Sequence, residues 1–119
     1  MTNRDMEEER RKQRRLERLG TQHPSCSTPG CPETDWRCLE LHHIADHGCD
    51  PQTVILCANC HRKVTDAQKD HPPHSDTADP FLESIGRFLL GLAELLKLTI
   101  ESLVRFGEAL IHRASGEVA

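Results

Sequence analysis

The sequence predicts an α+β chain: a small cysteine-stapled domain over residues 21–75, then a long amphipathic C-terminal helix over residues 80–113. Three observations carry this. Two cysteine pairs, Cys26-x4-Cys31 and Cys57-x2-Cys60, bracket two short apolar segments. The chain has 119 residues and only 3% aromatics, with one Trp and no Tyr. So little core needs a staple. From Asp79 onward, apolar residues recur with helical periodicity.

Residues 1–20 are charged, and from 4 to 19 they lack Gly and Pro, so they read as an exposed helix or an arm. Arg10, Arg11, Lys12, Arg14, Arg15 and Arg18 concentrate positive charge in a chain whose net charge is −4. Arg14, Arg15 and Arg18 are candidates for phosphate contact, which raises affinity without selecting sequence. The plainer reading is a solvated helix in which Glu7 meets Arg10 or Arg11 and Glu8 meets Lys12. No aromatic residue interrupts the stretch, which argues against base stacking there.

The middle segment reads as knuckle, strand, turn, strand, helix. Residues 26–31 form a Pro-Gly turn between two cysteines. Residues 37–44 have strand character, with Leu39 and Leu41 on one face. A turn is expected at 47–51. Thr53-Val54-Ile55-Leu56 is β-branched and apolar, hence a second strand, and residues 58–70 read as a helix. Prolines at 72, 73 and 80 define a linker that ends at 76–79. Asp79 is then an N-cap and Pro80 a first helical residue. Residues 114–119 are a tail.

The chain opens without the apolar stretch of about 7–15 residues that a secretory leader requires. The expectation is a cytoplasmic, reducing location, where cysteines bind metal rather than form disulfides. Structural zinc takes four tetrahedral ligands, often as two cysteine pairs on separate turns. Cys26, Cys31, Cys57 and Cys60 fit that pattern, and zinc held by them would contribute directly to folding. Cys38 is then expected as a small buried hydrophobe and Cys49 as a turn residue.

His42-His43-Ile44 ends the first strand and His61 follows Cys60. Imidazoles at two loci beside a knuckle point to a second metal site, with His47 a further, weaker candidate. Taken together, Cys26-x4-Cys31, Leu39-Glu40-Leu41-His42-His43-Ile44 and Val54-Ile55-Leu56-Cys57-Ala58-Asn59-Cys60-His61-Arg62-Lys63 resemble the HNH endonucleases of the ββα-metal fold, in the subset stapled by four cysteines. The resemblance covers residues 21–70. It implies a hydrolase of DNA phosphodiester bonds, with His43 as general base and His42 and His61 as ligands to a catalytic divalent cation such as Mg or Mn. It also implies that Arg62 and Lys63 hold the phosphate backbone. Gln52 stands where the family has the Asn that orients the loop carrying the base. Thr65 stands where many members have a further metal ligand, and Asp66 lies about 140° from His61 around an ideal helix. These departures define the alternative: a catalytically degenerate zinc adaptor that binds nucleic acid or a protein partner.

In the C-terminal helix, about 50 Å long at 1.5 Å per residue, Glu83, Arg87, Glu94, Lys97, Glu101, Arg105, Glu108 and His112 share one narrow stripe. The remaining arc is apolar and needs a partner. Charges every three or four residues exclude a bilayer span. The balance of Glu against Lys and Arg disfavours an anionic membrane surface. Self-association through residues 80–113 is the expectation, with Gly86, Gly91 and Gly107 allowing close helix approach.

Overall fold

The computed structural model describes residues 2–45 and 51–116. Helix α1 runs Asn3–Leu19. Thr2 and Asp5 close a reciprocal capping box at its start, and Gly20 ends it in the left-handed region. Of the two readings open for this stretch, helix is the one adopted. Its buried residues are Leu16 and Leu19, and Leu19 joins the core.

After the first cysteine pair, a single 3-10 turn at Trp36–Cys38 precedes β1, Leu39–His43. Asp35 caps the turn by accepting from the Arg37 backbone N–H at 2.9 Å. This turn occupies the start of the segment read as strand. β2, Thr53–Cys57, pairs antiparallel with β1 from Leu39↔Cys57 to His43↔Thr53. Helix α2, Ala58–Gln68, follows directly, with Cys57 as its N-cap. His47 and Cys49 lie outside the described residues. Cys38 is half-buried rather than a core residue.

Leu39 and Leu56 are fully buried, and with Val64 of α2 and the cysteines they make a small core. Helix α3, Pro80–Ala114, begins at the Asp79 N-cap as its sequence implies. It docks on the domain through Arg87, Gly91, Glu94, Leu98 and Ser102. These fall four, three, four and four residues apart and so share one face. Leu98 enters the core. Gly91 lies so close to the main chain after β1 that a Cβ would overlap the Ile44 carbonyl oxygen. Phe106 sits against Gly30, whose positive φ of 83° turns the first knuckle.

The helix thus turns Arg87 and Glu94 of its polar stripe inward, while Lys97, Glu101, Arg105 and Glu108 stay exposed. Glu94 meets His71 at 3.1 Å, with both side chains only 9% exposed, and Lys97 at 3.1 Å. Arg87 pairs with Glu83, and Lys63 of α2 reaches Glu101 at 3.5 Å. The apolar arc faces out. Phe81, Leu82, Ile85, Leu89, Leu96, Ile100, Leu103, Leu110 and Ile111 are all exposed. No described helix is long and apolar enough to cross a membrane.

Candidate functional site

The hairpin closes the first site. Register puts Leu39 opposite Cys57. β2 thereby delivers Cys57 and Cys60 to the Pro-Gly loop that carries Cys26 and Cys31. The four sulfurs lie within 4.8 Å of one another. Sulfurs 2.3 Å from a central zinc are about 3.8 Å apart in a regular tetrahedron, and Cys31 Sγ and Cys57 Sγ are 3.8 Å apart. Backbone N–H groups already point at these sulfurs: Cys57 N–H donates to Cys26 Sγ at 3.3 Å and Cys60 N–H to Cys57 Sγ at 3.4 Å.

Burial alone would raise the Cys26 thiol, but hydrogen bonds from the Cys57 and Thr28 backbones and the Thr28 hydroxyl outweigh it and bring it down to about 7. Burial pushes Cys60 up to about 12. A cation is what would make all four thiolates coexist. The donor set, its spacing and its partial burial fit structural zinc.

The second cluster forms on the other face of β1. Alternation along the strand places Glu40 and His42 together, and α2 brings His61 over them. The His42 and His61 rings meet edge-on, with centroids 5.1 Å apart. His42 is 3% exposed. His61 Nδ1 lies 3.5 Å from Glu40 Oε1. A carboxylate on Nδ1 orients an imidazole so that Nε2 is presented to a metal. Glu40 was not singled out in the sequence, although strand alternation with His42 was the available signal.

His43 lines a cavity of about 430 Å3 together with His61, Glu40, Arg15 and Arg18. The Ile44 N–H donates to the Gln52 carbonyl at 3.2 Å, so the main chain at Gln52 ties down the residue after His43. Arg62, Thr65 and Asp66 line a neighbouring cavity with Glu40 and His61. Lys63 points instead to Glu101 of α3. Among the described residues, the four cysteines are the group in which three or more potential ligands converge.

Arg14, Arg15 and Arg18 are not isolated on a solvated helix. With Arg11 and Arg37 they surround Trp36 in a cleft of about 480 Å3. The stretch itself carries no aromatic residue, but the fold places Trp36 beside it. The 3-10 turn carries Trp36 to α1, where Arg15 Nε donates to its carbonyl at 3.4 Å. Sequence separation of 21 residues concealed the contact.

The chain matches no known family, no curated protein and no solved structure.

Proposed function

We propose that this protein is a metal-dependent endonuclease of the HNH type, hydrolysing phosphodiester bonds in DNA. The observation that carries the reading is the juxtaposition of His42 and His61 at 5.1 Å, beside a cavity lined by His43, Arg15 and Arg18. In this reading His42 and His61 hold a divalent cation, Mg or Mn, which supplies charge neutralisation at the scissile phosphate. Glu40 orients His61. His43 takes a proton from the attacking water as its oxygen bonds to phosphorus and the bond to the leaving oxygen breaks. Gln52 anchors the chain that carries His43, and Arg15, Arg18 and Arg62 hold the backbone phosphates. Zinc on the four cysteines keeps the hairpin and α2 in register.

Supercoiled-plasmid cleavage by the zinc-loaded protein with added Mg or Mn tests this. His43→Ala is expected to lower the rate about 100- to 10,000-fold with zinc content unchanged. A folded wild type that leaves the plasmid intact in both metals would overturn the reading. The competing reading, a zinc adaptor without catalysis, is favoured by one observation. The helical position after His61 that would complete a third ligand is Thr65, which is exposed.

We further propose that α3 binds a second copy of this chain. Its outward face repeats at three- and four-residue intervals through Leu82, Ile85, Leu89, Leu92 and Leu96, then Leu103 and Leu110. That is the a/d spacing of a coiled-coil seam. The exposed side chains, at roughly 100 Å2 each, offer on the order of 1,000 Å2, more than monomers expose and enough for a stable dimer. Exposed Glu101 and Glu108 near its rim oppose an anionic lipid surface. Sedimentation equilibrium is expected to show a dimer that Leu89→Glu with Leu96→Glu converts to a zinc-replete monomer. A monomeric wild type would contradict it.

A further inference from the structure

The arginine cleft between α1 and the 3-10 turn has the composition of a nucleotide site. Its walls are Arg11, Arg14, Arg15, Arg18, Arg37 and Trp36, with Glu8 the acidic residue among them. Asp35 is also near, but it is held by Arg37 through two hydrogen bonds of 3.0 and 2.8 Å. That pair keeps the Asp35 carboxyl down at about 2 and fixes the Arg37 guanidinium 5.9 Å from the Trp36 ring centroid. Four arginines then remain against Glu8.

Trp36 is half-buried and borders a second cavity on its other side, with Leu16, His23 and Pro24. The indole therefore lines two cavities, with the Arg37 guanidinium over its ring, and is not a core residue. A planar aromatic beside several guanidinium groups suits a base carrying a phosphate. The volume, about 480 Å3, lies in the range of small-ligand sites.

The cleft also has a direction. Arg15 and Arg18 line both this cleft and the cavity over His43 and His61. A strand whose phosphates ran along these two arginines would pass from Trp36 to the histidines.

We propose that the cleft binds an unpaired nucleotide of single-stranded DNA, its base stacked on Trp36 and its flanking phosphates held by Arg11, Arg14, Arg15 and Arg18. A duplex keeps its bases stacked on each other and presents no free face to the indole. The site therefore selects single-stranded or locally opened substrate. This extends the nucleic-acid part of the function proposed above and does not depend on cleavage.

Trp36 is the only tryptophan in the chain, so its emission reports on this cleft alone. The experiment titrates the zinc-loaded protein with oligothymidine at low salt, without added Mg or Mn. Fluorescence is read together with the anisotropy of a labelled oligonucleotide. The expected result is saturable quenching that coincides with binding, and weaker binding of the matching duplex. Trp36→Ala is expected to weaken single-strand affinity about tenfold and Trp36→Phe to retain most of it. Arg11→Ala with Arg14→Ala is expected to flatten the salt dependence while leaving zinc content unchanged.

Binding with no change in emission, or equal affinity in Trp36→Ala, would overturn the proposal, as would no binding at all. Thymidine monophosphate binding as tightly as the oligonucleotide would assign the cleft to a free nucleotide and also overturn it. Quenching without plasmid cleavage would leave the cleft standing and count against the nuclease; cleavage without quenching would do the reverse.

Discussion

The cysteine cluster and the histidine cluster stand on the same hairpin and the same helix, yet they offer different donor sets. Four sulfurs converge within 4.8 Å and leave no position for anything else around a tetrahedral ion. Beside them His42 and His61 bring two imidazoles together, with Glu40 behind one of them. Around a metal ion, that set would fill only part of a coordination sphere. In the proposed reading a closed set would hold the fold, and an open set would leave room for water and a phosphate oxygen. The helix α2 takes part in both: its cap residue Cys57 and its first turn supply two sulfurs, and the next residue, His61, meets His42 and Glu40 of β1.

The largest effect that would break this comparison is loss of the closed set. Cys57→Ser removes one of the four sulfurs while keeping a side chain that can cap α2. Structural zinc contributes on the order of 10 kcal/mol in small domains, more than a domain of this size can lose. The variant is expected to lose cooperative unfolding and hairpin circular dichroism. His42→Ala and His61→Ala, by contrast, are expected to keep both and to bind zinc as the wild type does. A Cys57→Ser protein that folds normally would mean that packing alone supports the domain.

A smaller effect sharpens the comparison by showing what a histidine–carboxylate pair does away from any metal. His71 and Glu94 meet at 3.1 Å where α3 docks. The hydrogen bond from His71, with lesser help from Lys97, outweighs burial and holds the Glu94 carboxyl below its ordinary 4.5. A carboxyl depressed on folding contributes stability above its unfolded value and loses it as pH falls through the lower folded value. The expected contribution is below about 1 kcal/mol. It is absent in Glu94→Gln, whose unfolding midpoint is expected to change less than that of the wild type on going below pH 4.5. Identical acid sensitivity in the two proteins would remove Glu94 from the docking account.

Much of the stapled domain was legible because its signals are local. Cysteine spacing, the β-branched run at 53–56 and the Asp79-Pro80 helix start each act over a few residues, and the structure has them where they were expected. The inward face of α3 was not legible. Periodicity groups residues onto faces but does not say which face is covered. Gly91 packs against Ile44 and Leu98 enters the core, while the leucine-rich arc stays exposed. The face that went in mixes Arg87 and Glu94 with Gly91, Leu98 and Ser102, and most of the apolar arc stayed out. The Trp36 cleft was hidden for a related reason, since α1 and the 3-10 turn, 21 residues apart at Arg15 and Trp36, meet only in the tertiary fold. Glu40 was within reach of strand alternation with His42, and its place beside His61 depends on where α2 lies.

Cobalt titration of the metal-free protein tests the central claim most directly, because it reports the two clusters separately. One equivalent is expected to give the intense thiolate-to-cobalt absorption of a tetrahedral four-sulfur site. A second equivalent is expected to bind with a weak spectrum of higher coordination, and this binding should vanish in His42→Ala and His61→Ala while the first equivalent is untouched. Saturation at one equivalent in the wild type would contradict the account and leave the histidines without a metal to hold.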